Sequence, residues 1–404
     1  MHRSPAPGPR CPRVLQPRRT CRAARKTLAL VGVPALAVGV AVLPGYLDLN
    51  PPNPESTWPI FTVSQRRADL AGHRLAKTDL WKDKIPAFDR ITVPAYVVAS
   101  YSNILHTAGT FRAWRRMASP DQWLRIHNSQ EWPDYYEPAN VEDLRRFFDR
   151  YLKDADNDWE QTPRVRYSLL DLHGGDRVAV GADQFPPADV TSTKYFLDGR
   201  SHTLATTAPE NAVPVSYVVG ANPDQVSFLT RFEQETVLVG YPKAQLWVEA
   251  VGADDMELFV LIQKLDAYGT PLQAFTALSR TALAHDITEH GATILRYKGS
   301  DGRLRVSARH LDDALSTEDV PAHSFDRVEK MASGEVVEIQ IDLLPLGLVF
   351  SPGEQLRFIV SSRNLLGTMM PRVREYTPTN SGRHIIHTGG EHASYLQLPV
   401  QARQ

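Results

Sequence analysis

The chain has 404 residues, 42% of them apolar and 23% charged. That composition excludes a disordered or fibrous polypeptide, and at roughly 100–200 residues per domain the length suits two or three domains. Lys plus Arg number 45 against 46 Asp plus Glu, a net charge of −1, so no global basic excess is available to hold a nucleic-acid backbone. The charge is unevenly placed. Residues 1–47 hold seven Arg, one Lys and no acid, which leaves 37 basic and 46 acidic residues, a net of −9, in the remainder. Both cysteines, Cys11 and Cys21, also lie in that stretch, so residues 48–404 have no disulfide, thiolate metal site or cysteine nucleophile.

Residues 1–26 are basic and carry five prolines, and residues 27–47 form an uncharged run of 21. A basic stretch before an apolar run of that length reads as a signal sequence or a membrane anchor. Three glycines, Pro34 and Pro44 make it a weak spanning helix. The rival reading is translated sequence ahead of the true coding start. The protein is exported or anchored through residues 27–47 on the first reading and cytoplasmic on the second.

An α/β segment follows. The apolar, β-branched run 90–100 predicts a buried strand starting near Pro94. Residues 107–118, with Phe111, Trp114 and Met117 at spacing three, predict a helix, and 121–128 a second short strand. Residues 140–154 give the clearest helix. Val141, Leu144, Phe147, Phe148, Tyr151 and Leu152 share one face, with Asn140 as N-cap and Asp143 completing a capping-box-like start. Strand, helix, strand, helix implies a parallel sheet, and two such units read as the tail of a larger one.

After residue 160 the pattern turns to period two. Strands are expected at 164–170, 193–198, 213–219, 225–231, 236–240, 244–251, 256–264, 292–297, 303–308, 335–343, 355–362 and 394–400, separated by turn signals such as Ser351-Pro352-Gly353-Glu354. Many short strands with little helix, and no repeat period, predict a two-sheet sandwich or jelly roll.

Four stretches carry a family resemblance: 80–100, 131–166, 337–362 and 382–400. The acidic-aromatic helix with "RFFDRYLK" ahead of "TPRVR", and the strand pair "PLGLVFSPGEQLR", are the most specific. Together they resemble the CocE/NonD hydrolases, relatives of cocaine esterase and the Xaa-Pro dipeptidyl-peptidases, over roughly 80–404. The resemblance implies a fold class of α/β plus all-β, the C-terminal part of an α/β-hydrolase domain followed by a jelly-roll sandwich. The implied division is a leader at 1–47, a linker and lid remnant at 48–87, the end of the hydrolase domain at 88–160 and the jelly roll at 161–404. It also implies acyl transfer from a small ester or a peptide to water through a serine acyl-enzyme, with no metal or organic cofactor.

Members of the family use a serine in a G-x-S-Y-x-G turn, an aspartate after a late strand and a histidine after the last. No G-x-S-x-G occurs in this chain. Gly199-Arg200-Ser201 lacks the second glycine, and 299–302 lacks the spacing. Asn103 sits at about the acid position, where an amide cannot carry the charge that steadies an imidazolium. Glu131 falls nearest the usual histidine position. His127, directly after the second strand, is the candidate base, with Glu131 or Asp134 beside it. His106 reads as a capping or packing residue, or a functional one. A serine half would come from a separately encoded polypeptide. A sheet edge left without its strands favours such an association, or a homo-oligomer. The missing serine turn instead favours a non-catalytic jelly-roll module, whose faces and loops can hold peptides or sugars.

Other clusters read as structural. His384 and His387 of "HIIHTGGEH" fall on opposite faces of a strand, which disfavours a shared metal. Residues 173–176 read as a plain turn. Trp123, Trp132, Tyr135 and Tyr136 gather near the end of the second strand, as pocket lining or as core.

Overall fold

The computed structural model describes residues 85–102, 106–129, 131–173, 175–275, 296–366 and 378–403. The leader, the expected lid remnant up to residue 84 and Asn103 lie outside them. Among the described residues no helix is long and apolar enough to cross a membrane.

The first strand, β1 (Ala95–Ser100), begins one residue after Pro94 and is buried almost throughout. A strand covered on both faces reads as an unbroken apolar run, as this one does. Helix α1 (Thr107–Arg116) follows and ends where Met117 turns extended, and β2 (Gln122–His127) pairs parallel with β1. A short helix α2 (Glu131–Tyr136) leads into α3 (Pro138–Lys153). Helix α3 starts two residues before the expected position, because Pro138 supplies a preset first turn after an extended Glu137. It ends at Asp154, whose backbone is left-handed, with φ at 53°. Asn140 is therefore inside the helix and caps nothing; its amide donates to the Asp134 carbonyl oxygen at 2.7 Å. Asp143 likewise leaves the capping role and binds Arg166 at 2.7 Å. The apolar face of α3 lies on Tyr96, Trp123 and Trp159, a cluster of tilted and edge-on rings around Phe147.

The strand expected at 164–170 to open the sandwich is β3 (Val165–Leu169), and it pairs parallel with β2 instead. β4 (Arg177–Ala182) closes this four-stranded sheet antiparallel to β3, giving the order β1-β2-β3-β4. Period two identifies a strand without identifying its neighbour. The large β domain then runs through β5 (Val190–Asp198), β6 (Thr203–Ala205), β7 (Val215–Val218), β8 (Gln225–Arg231), β9 (Thr236–Gly240), β10 (Lys243–Val251) and β11 (Glu257–Leu265). A small ladder of β12 (Ala274–Phe275) and β13 (Arg296–Tyr297) stands apart. The domain is completed by β14 (Ser300–Arg305), β15 (Val336–Asp342), β16 (Leu346–Phe350), β17 (Gln355–Ser361), β18 (Arg383–His387) and β19 (Tyr395–Gln401). Thirteen of these strands form one almost wholly antiparallel sheet. β10 and β15 alternate buried and half-exposed residues, as strands with one core face do, whereas every residue of β11 is buried.

The two parts share one core. Phe111 of α1 is fully buried, with ring centroids 5.3 Å from Phe185 and 6.0 Å from Tyr241. The end of β3 crosses to the β domain: Leu170 donates to the Gly347 carbonyl at 2.9 Å and accepts from Val349 at 3.0 Å. Gly347 has to be glycine for reasons of space. A Cβ there would lie 2.5 Å from the Ser168 carbonyl oxygen and 2.7 Å from the Tyr101 ring.

Candidate functional site

The carboxyl ends of β1 and β2 lie side by side, with Ser100 in register with His127. In an open α/β sheet this is the edge where ligands bind. Ser100 and Ser102 hydroxyls are 2.8 Å apart, and both donate to the Ser129 carbonyl oxygen, at 2.7 and 3.0 Å. Both serines are buried. Thr107 closes the group by donating to the Ser100 carbonyl oxygen at 2.5 Å.

His127 is 5% exposed, and its Nδ1 makes no hydrogen bond. The carboxylate that faces this nitrogen is Asp134, at 3.7 Å. Burial pulls the imidazole down to about 4; Asp134 works against that shift and the Arg125 charge adds to it. His127 is thus neutral at pH 7, able to accept a proton but a weak base as it stands. Glu131 does not reach it. Glu131 opens α2 and faces His106 at 3.9 Å. Asp134, one helical turn further on, points back over β2.

Sequence reasoning missed what holds Asp134. Arg125, two residues before His127 on β2, grips its carboxylate with two nitrogens, one at 2.8 Å. Asn140 donates to the same carboxylate at 3.1 Å. Arg125 also donates to the Tyr96 hydroxyl at 3.0 Å, and Tyr96 in turn binds Asp143 and Arg166. Tyr96 and Arg125 lie on neighbouring strands, close in register, but only the sheet pairing brings them together. Burial holds the Tyr96 phenol well above its ordinary range, so it stays protonated.

The aromatic expectations separate. Trp123 is fully buried beneath α3 and belongs to the core. Tyr135 and Tyr136 are exposed at 56% and 75%, edge to face, beside the strand ends. The Trp132 side chain lies outside the described residues. Of the C-terminal histidines, His384 is fully buried and shares a hydrogen bond with Tyr217 at 3.1 Å, while His387 faces Glu249 at 2.9 Å.

The family model of the X-Pro dipeptidyl-peptidase C-terminal non-catalytic domain matches residues 157–397. No curated protein sequence matches the chain. Among solved structures, a CocE/NonD family hydrolase from Staphylococcus aureus is 32% identical with a TM-score of 0.73, the match covering 81% of this chain and 57% of that one. An aminopeptidase from a marine sediment Thaumarchaeota archaeon is 16% identical with a TM-score of 0.60, over 85% of this chain and 61% of that one. An α-amino acid ester hydrolase is 15% identical with a TM-score of 0.55, over 85% and 62%. These last two share the fold. The chain therefore spans little more than half the length of the Staphylococcus aureus hydrolase, and it belongs to the CocE/NonD hydrolase family through a C-terminal domain of the X-Pro dipeptidyl-peptidase type.

Proposed function

We propose that this chain is the base-bearing part of an ester- or amide-cleaving hydrolase, with the serine delivered on a strand that adds to the free edge of β1. The observation that carries this reading is His127. It is a neutral imidazole at the carboxyl end of a parallel strand, with a carboxylate 3.7 Å from its Nδ1. That is the base and its orienting acid without the alcohol. β1 ends the four-stranded sheet, and among the described residues its outer side pairs with no strand. An incoming strand would put its following turn beside Ser100 and His127. The serine proton would pass to His127 as the hydroxyl oxygen attacks the substrate carbonyl. His127 would then return the proton to the leaving alcohol or amine, and water would release the acyl group. The partner is a polypeptide carrying a G-x-S-x-G turn.

A second reading, a non-catalytic module, is favoured by the Asp134 carboxylate. Arg125 and Asn140 already hold it, so His127 has no carboxylate of its own. A fluorophosphonate probe separates the two. The purified chain is expected to stay unlabelled, and a mixture with a polypeptide that carries the G-x-S-x-G turn is expected to label at a serine. His127→Ala should abolish that labelling. Labelling of the chain alone would refute the division of roles, and an unlabelled mixture would favour the second reading.

A further inference from the structure

The β domain holds a turn next to the candidate site through a lysine that sequence gives no reason to notice. Lys264 lies near the end of β11, and its side chain has no exposure at all. Its ammonium donates to the Asp171 and Val349 carbonyl oxygens, each at 2.7 Å, and pairs with Glu354 at 2.8 Å. It also lies 3.5 Å from the Asp171 carboxylate. The other Glu354 oxygen meets His173 at 2.9 Å. Asp171 and His173 belong to the β3–β4 turn. Within that turn the Asp171 amide donates to Asp176 at 2.8 Å. The second Asp176 oxygen accepts from the Asn128 side chain at 2.7 Å. Asn128 is the residue after His127.

We propose that Lys264 and Glu354 are positioning residues: they fix the β3–β4 turn, and through Asp176 and Asn128 that turn sets the strand end carrying His127. The proposal rests on the reading of His127 as the base. A buried ion pair is a poor way to gain stability, because removing two charges from water costs as much as their attraction returns. What it provides is geometry. The ammonium meets acceptors on the β3–β4 turn and on the β16–β17 hairpin, and apolar side chains filling the same volume would place none of them. The same end of β3 is also stitched to β16 by the Leu170 bridge.

The test uses the full chain with isotope-labelled histidine and reads each imidazole by NMR against pH. Asp176→Ala removes the last link and leaves the β domain untouched; Lys264→Met removes the first. In both variants the His127 midpoint is expected to rise by about 0.5 pH unit or more toward its ordinary value, because loosening the strand end admits water. His384, buried elsewhere, should titrate unchanged in Asp176→Ala. If His127 keeps its wild-type titration in folded Asp176→Ala protein, the proposal is overturned. Should Lys264→Met fail to fold, Asp176→Ala decides alone. The readout needs no turnover, so a negative fluorophosphonate result leaves it intact.

Discussion

Replacing His384 by glutamine should flatten the acid limb of the stability curve. His384 is fully exposed to protons once the chain unfolds and fully buried when it is folded. Burial lowers the folded imidazole from 6.5 to about 4. Its Nδ1 shares a hydrogen bond with Tyr217, and its Nε2 has no partner, so no nearby group repays a charge there. Above pH 7 neither state holds the proton and His384 leaves stability unchanged. Between 6.5 and 4 the unfolded chain takes up a proton that the folded chain refuses, and stability falls as the pH falls. With those two values the loss at pH 4.5 is about 2.5 kcal/mol. Glutamine keeps a polar atom within reach of the Tyr217 hydroxyl and binds no proton. Urea unfolding followed by tryptophan fluorescence at pH 7.5, 6.5, 5.5 and 4.5 measures the difference. Wild type should lose about 2.5 kcal/mol more than the variant over that range, while the contributions of all other groups cancel. Parallel curves for the two proteins would refute the reasoning, because they would mean that the site admits the proton as readily as water does.

Two further outcomes follow from the same geometry. Gly347→Ala puts a methyl group against the Ser168 carbonyl oxygen and the Tyr101 ring, so the sheets must part; a loss of about 1–3 kcal/mol is expected in urea unfolding, with faster proteolysis of the β3–β4 turn. Arg125→Met removes a charge that lowers His127 and frees the Asp134 carboxylate to turn toward Nδ1. The His127 midpoint, read by NMR, should rise above about 4, and the fold should weaken by about 3–5 kcal/mol because Asp134 loses its cation.

Much of the local structure is legible in the sequence because local physics decides it. The apolar run at Ala95–Ser100 is a strand because neither face meets water, and α3 packs through Leu144, Phe147, Phe148 and Tyr151, while Val141 and Leu152 of the expected stripe stay exposed. β8 and β9 lie at the residues expected, since turn residues bound each run. β4 went unforeseen: four of its six residues are exposed, so it has no apolar phase to read. β16 is buried at all five positions, and a continuous run has no period two, so it stands out only in the strand pair that carries the family resemblance. Among the acids after β2, sequence spacing leaves Glu131 and Asp134 equal. The first turn of α2 separates them, sending Glu131 toward His106 and Asp134 toward Arg125.

Lys264 marks where this kind of reading ends. In the run from Leu258 to Leu265 it sits next to Gln263, and a lone lysine near a strand end is ordinarily a solvated side chain. Whether a position on a strand meets water depends on what lies across that face. For β11 the facing atoms include Asp171, nearly a hundred residues earlier, and Val349 and Glu354, some ninety later. No window of sequence contains all three. The same holds for Asp134 and His127 at one remove: the histidine can be named from its place after a strand, but its charge state depends on its burial and on how Arg125 and Asp134 lie around it. Spacing can single out a histidine, but its surroundings are set by segments far apart in the chain, and here the turn that binds its neighbour Asn128 is itself packed on the β domain.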